Sequence, residues 1–126
     1  MKKDITTMDD VKLLVNSFYD KIQIDGMLGG IFHGHIKDWP VHLEKMYRFW
    51  QTLLLDEITY MSNSFEPHKN FPIDQKHFDR WMELWKGTID EHFEGEKAEE
   101  AKMRAERIAM VFLSKIIYIR EQKTAQ

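Results

Sequence analysis

The 126-residue sequence predicts an all-α fold. Apolar residues recur at helical three- and four-residue spacing in four separate stretches. No stretch alternates as a half-buried strand would, and all three prolines fall at or between the ends of the periodic stretches.

The first helix is expected over residues 8 to 24. Thr7 with Asp10 three residues on reads as a capping box, and Val11, Leu14, Val15, Phe18 and Ile22 then form an apolar stripe. Gly26, Gly29 and Gly30 end it, and a short Ile31-Phe32 segment leads to Gly34. The second helix is expected from Asp38, with Pro40 in its first turn, and fades near Tyr60; His42, Met46, Phe49, Trp50 and Leu53 share one face. Over residues 62 to 72 the periodicity is lost, which predicts an irregular loop carrying His68. The third helix is expected over 73 to 93 with Phe78, Trp81, Trp85 and Ile89 on one stripe. Gly95 separates it from the last helix, 96 to 122, whose apolar face is Ile108, Val111, Phe112, Ile116 and Ile119.

A composition of 43% hydrophobic and 31% charged residues suits one folded domain over 1–126. Eight Phe, four Trp, four Tyr and eight Met are many for this length, and such residues either fill a plain aromatic core or line an apolar pocket. A net charge of -3 with no basic run gives no footing for nucleic acid or an electrostatic membrane anchor. With no cysteine, disulfides, thiolate metal sites, cysteine nucleophiles and covalent haem attachment are all excluded. The N-terminal residues have no apolar signal core and no stretch approaches a membrane span, so a cytoplasmic protein is expected.

The six histidines, His33, His35, His42, His68, His77 and His92, include no His-Glu-x-x-His pair. Asp74 and His77 could be one half of a carboxylate-bridged di-iron site, but the second copy is missing. A Gly-x-Ser-x-Gly elbow and phosphate-cradling glycine loops are absent. A haem site asks for less: one axial imidazole, an apolar slot and polar donors facing the bound ligand. His68, in an irregular segment just before a helix, is a candidate axial ligand, although spacing alone favours an exposed loop histidine.

The run Pro67-His68-Lys69-Asn70-Phe71-Pro72-Ile73, leading into His77-Phe78-Asp79-Arg80-Trp81, resembles the group III truncated haemoglobins. In that family His-x-x-Leu-Pro followed by His-Phe-x-x-Trp marks the proximal side. Phe18-Tyr19, the stretch from 28 to 32, and Trp39-x-x-His42 leading to Phe49-Trp50 match in order, so the resemblance spans nearly the whole chain. Ser62 and Ser64, where relatives often carry Gly and Pro, and Pro67 before the ligand are departures from the pattern.

The resemblance implies a truncated globin fold, two helices crossing over two others around haem b. His68 is then the proximal ligand, with Tyr19, His42 and Trp81 on the distal face. His42 would bind iron, gate the pocket or point to solvent; Tyr19 and Trp81 would be ligand donors or simply core. Phe32, Met46, Phe49, Trp50, Leu53, Phe71, Phe78 and Trp85 are the apolar candidates for porphyrin contact, and Lys45, Arg48, Lys69 and Arg80 the candidate propionate partners. His33, His35 and His92 read as surface residues.

Two functions of different class follow. One is an enzyme, a haem-dependent NO dioxygenase or peroxidase-like activity fed by an unidentified reductase, turning over O2, NO or peroxide rather than delivering O2. The other is a non-catalytic globin that stores, scavenges or senses O2, NO or CO. A helical domain with no cofactor is a third reading, and Glu66 and Asp74 are the carboxylates near enough to be checked as partners of His68.

Overall fold

The computed structural model describes residues 2–60, 65, 68 and 71–124. Ser62, Ser64, Glu66, Pro67 and Lys69 lie outside them, so the loop expected over 62 to 72 is described only at Phe65, His68 and 71–72. Five helices follow in order: α1 (Met8–Ile24), α2 (Gly29–His35), α3 (Trp39–Leu54), α4 (Gln75–His92) and α5 (Glu96–Thr124). An isolated parallel bridge joins Lys3 to Phe93. The four long helices close into a ring in which α1 packs on α3 and α4, and α5 packs on the same two. That ring is the two-over-two arrangement the all-α reading anticipates.

The start of α1 is set by local chemistry. Thr7 Oγ1 accepts from the Asp10 backbone N–H at 3.2 Å, and Asp10 Oδ2 accepts from the Thr6 and Thr7 backbones at 2.9 and 3.1 Å. Burial works against the Asp10 carboxylate, but the Lys3 ammonium at 2.9 Å and these hydrogen bonds outweigh it and hold its pKa at about 2. The expected stripe Val11, Leu14, Val15, Phe18 and Ile22 is buried throughout.

α2 is a correction to the sequence reading, which took Gly29 and Gly30 as breakers. Asp25 organises the turn instead: Oδ2 accepts from the Met27 and Leu28 backbones at 3.0 Å each, and Oδ1 accepts from Arg80 Nε at 2.8 Å. Gly29 then starts the helix where a Cβ would lie 2.8 Å from the Gln23 carbonyl oxygen, so only glycine permits this approach to the end of α1. Tertiary contact overrides the low helix propensity of glycine here.

α3 begins as expected, with Asp38 Oδ1 accepting from Val41 N at 3.2 Å and Pro40 in the first turn, but it ends at Leu54 rather than near Tyr60. Residues 55 to 60 fold back over it, where Thr52 Oγ1 accepts from the Thr59 and Tyr60 backbones at 3.1 and 3.0 Å. α5 is capped from far away in sequence, since Asp4 accepts from the Lys97 and Ala98 backbones at 2.9 Å each.

The buried stripe of α5 also differs from the expectation. It runs through Ala98, Ala101, Ala105, Ala109, Leu113 and Ile116, while Val111 is 44% exposed. Alanines let α4 come close enough for Trp85 Nε1–H, fully buried, to donate to the Ala101 carbonyl at 3.1 Å. No helix among the described residues is long and apolar enough to cross a membrane.

Gly29→Ala should destabilise the fold by about 1 to 3 kcal/mol, because the new methyl meets a backbone oxygen that cannot rotate away. Urea unfolding followed by far-ultraviolet circular dichroism checks this; Gly30→Ala, with open space at its Cβ, is the control that should not lose stability.

Candidate functional site

The apolar stripes of α3 and α4 are buried only in part, and the reason is a shared internal space. Along α4, Trp85 and Ile89 are fully buried, whereas Trp81 and Phe78, one and two turns before Trp85, are half-buried. Along α3, Trp50 is buried and His42, Met46 and Phe49 are half-buried. His42, Met46, Phe49, Phe78 and Trp81 all border a cavity of about 740 Å³, a volume within the usual range for a sizeable organic ligand.

Tyr19 from α1, His42 from α3, Trp81 from α4 and His68 all line this space, although Tyr19 and Trp81 are 62 residues apart in the chain. Tyr19 meets His42 edge-on with ring centroids 5.1 Å apart and is itself edged by Phe18 at 5.1 Å. Trp81 stacks parallel to Trp85 at 6.0 Å, and Trp85 stacks on Trp50 at 4.5 Å, so the cavity wall rests on a packed indole array.

His68 packs against two phenyl rings, Phe71 and Phe112, with centroids 5.0 Å away in each case. Its backbone is held on both sides, with His68 N donating to Phe65 O at 2.8 Å and Phe71 N donating to His68 O at 3.0 Å.

Electrostatics separate the two histidines. His42 Nε2 is buried and has no hydrogen-bond partner, the one such side-chain atom among the described residues. Burial, with added repulsion from His68 and Lys45, brings the pKa of His42 down to about 4, so the ring is neutral at ordinary pH. The Nε2 edge of the ring is closed to solvent. Burial raises the pKa of Tyr19, so its phenol keeps its proton and remains a donor.

Of the apolar candidates, Phe32, Met46, Phe49, Trp50, Phe71 and Phe78 border the cavity. Leu53 and Trp85 do not. Leu53 packs against the main core, and Trp85 lies behind Trp81 and Trp50 with its N–H already used. Periodicity cannot separate a residue on the cavity from one a turn deeper on the same stripe.

Lys45 and Arg48 reach the lining, whereas Arg80 is taken up by Asp25 at 2.8 Å and Glu83 at 2.5 Å; Lys69 lies outside the described residues. Asp74 is ion-paired to Arg120 Nη1 at 2.6 Å, and Glu66 is outside the described residues. His33 and His35 are exposed and His92 half-exposed, yet His35 stacks on Phe71 at 4.1 Å and borders the cavity, which the surface reading missed. Phe112, Ile108 and Ala109 from α5, with Lys37 and His77, are further lining residues. Ile108 and Phe112 stand at i, i+4 beside the alanine stripe, a signal that reads as core until the alanines are seen to take that place.

A helical ring enclosing a largely apolar cavity, with two imidazoles and several cations in its lining, has the form of a globin-type cofactor pocket. The family model of the bacterial-like globins matches residues 3–113, and the chain belongs to that family. It is similar to the group 3 truncated hemoglobin ctb of Campylobacter jejuni, 28% identical over 117 residues that cover 89% of this chain and 92% of that protein. The crystal structure of the group III truncated hemoglobin from Campylobacter jejuni matches with a TM-score of 0.84 at 27% identity, over 92% of this chain and 95% of the other.

Membership implies haem as cofactor and small gases such as O2 as ligands. The residues present fit that group: an apolar lining suits the macrocycle, cationic residues in the lining suit its carboxylates, and the imidazoles of His42 and His68 border the space.

The depressed pKa of His42 has a consequence for stability. The unfolded chain takes the proton near pH 6.5 and the folded protein only near pH 4, so stability is full above 6.5 and falls as pH drops between those values. His42→Leu should lessen that acid sensitivity. Urea midpoints for both proteins at pH 7 and pH 4.5 check it, and an equal fall in both would contradict the buried neutral ring.

Proposed function

We propose that the chain binds haem b with His68 as the axial ligand, and that it retains and converts O2, nitric oxide or peroxide rather than delivering O2. The observation that carries this is a cavity of about 740 Å³ whose lining gathers His68, Tyr19, His42 and Trp81 from separate parts of the chain.

When bound, haem supplies an iron centre that coordinates a diatomic gas and exchanges electrons with it. The protein's part is donor placement. Tyr19 O–H and Trp81 N–H both border the cavity, and neither hydrogen-bonds to another described residue. Both are donors to a ligand that gains negative charge, and His42, being neutral, donates or accepts according to its tautomer. Hydrogen bonds to a charged group are worth about 1.5 to 3 kcal/mol each, so two donors slow ligand release by orders of magnitude. Slow release suits reaction at the site and opposes delivery. Phe71 and Phe112, each with its ring 5.0 Å from that of His68, would pack beside the imidazole that holds the group.

His68→Ala should abolish axial ligation, seen as a changed ferrous-CO spectrum; an unchanged spectrum would sink the assignment of His68. Tyr19→Phe and Trp81→Phe should each raise the O2 dissociation rate by about tenfold or more. Stopped-flow ligand replacement measures this, and wild-type rates in both variants would remove the donor role. Mixing the oxygenated protein with stoichiometric nitric oxide decides between turnover and storage. Formation of nitrate supports the enzyme, whereas survival of the oxygenated form supports a gas-holding or sensing globin.

A further inference from the structure

We propose that His77 is a further haem-binding residue, donating a hydrogen bond from Nε2 to a haem carboxylate; the inference rests on the haem reading above. His77 occupies the third position of α4, after the N-cap Asp74. Its Nδ1 accepts the backbone N–H of Asp74 at 2.8 Å. A ring nitrogen that accepts from an N–H keeps its lone pair, so the ring's proton resides on Nε2. One edge of the imidazole is thereby pinned to the helix terminus, and the opposite edge carries a donor.

The ring of His77 borders the same cavity as Lys37, Lys45 and Arg48, and its Nε2 makes no hydrogen bond among the described residues. The pinned edge is itself braced. Arg120 of α5 pairs with Asp74 and donates from Nη2 to the Ile73 carbonyl at 2.8 Å and the Phe71 carbonyl at 3.2 Å. The start of α4 is therefore tied to the last helix, and the His77 ring is fixed before any ligand arrives.

The residue type carries the rest of the argument. At the third helical position the usual cap acceptors are Glu and Gln. A glutamate there would serve the helix equally well but would set a negative charge beside the incoming carboxylates. Histidine gives the same cap and a donor on its far edge. The arginines offer less, since Arg80 is held by Asp25 and Glu83 and Arg48 by Glu44 at 3.1 Å.

Transfer of haem from the ferric protein to excess apomyoglobin tests this with a rate rather than an activity. His77→Glu keeps the cap acceptor and replaces the donor by a negative charge, so haem loss should quicken by about tenfold or more. His77→Gln keeps the cap and offers an amide N–H, so it should stay within about threefold of wild type. Far-ultraviolet melting of both haem-loaded variants verifies that α4 is intact. Nitrogen-15 NMR of the imidazole should show the proton on Nε2, and a proton on Nδ1 overturns the proposal. A normal Soret band with wild-type haem loss in His77→Glu overturns the carboxylate contact alone. A wild-type chain that gives no Soret band with haem overturns the haem reading and this contact with it.

Discussion

An imidazole nitrogen held in a dry interior without a hydrogen bond is costly, and this fold keeps His42 Nε2 in that state. The surrounding structure explains how it can. Tyr19 and Trp39 meet the His42 ring edge-on at 5.1 and 5.9 Å, which fixes its plane and prevents it from turning outward to water.

The wall of the cavity is itself an aromatic array. Phe18 sits edge-on to Trp81 at 5.6 Å and Trp85 at 5.0 Å, and the stacked Trp50 and Trp85 join α3 to α4. Trp85, with no exposed surface and its N–H satisfied by Ala101, links this array to α5. Aromatic pairs of this geometry contribute about 0.5 to 1.5 kcal/mol beyond area burial, and here they also hold open a space that side chains do not fill. Excess aromatic content thus has two uses at once: one half of each stripe makes the core and the other half makes the pocket wall.

Polar contacts of long sequence separation set where the helices begin. Asp4 caps α5 from the N-terminal segment, Arg80 joins α4 to the Asp25 turn ahead of α2, and Arg120 joins α5 to the start of α4. The Asp25 and Arg80 pair is half-covered on the arginine side and well covered on the aspartate side, so it acts more to position α2 than to add free energy. Through α2, that pair places Phe32 against Tyr19 at 6.0 Å.

Helix content, the bounds of α1 and the cap at Thr7 were legible in the sequence because each depends on local spacing, and Tyr19, His42, His68 and Trp81, singled out by an ordered set of motif residues, line one cavity. Only the tertiary structure decided the rest. α2 forms because Gly29 can approach the Gln23 carbonyl, and no local rule anticipates a contact between separate elements. Leu53 and Trp85 fall behind the cavity while Phe112 and His77 border it, because a helical stripe specifies a face but not which turn of that face meets a neighbour. The sequence determined which residues could make a haem pocket; the packing of four helices decided which of them surround one space, since the distances that matter cross between chains of residues far apart in order.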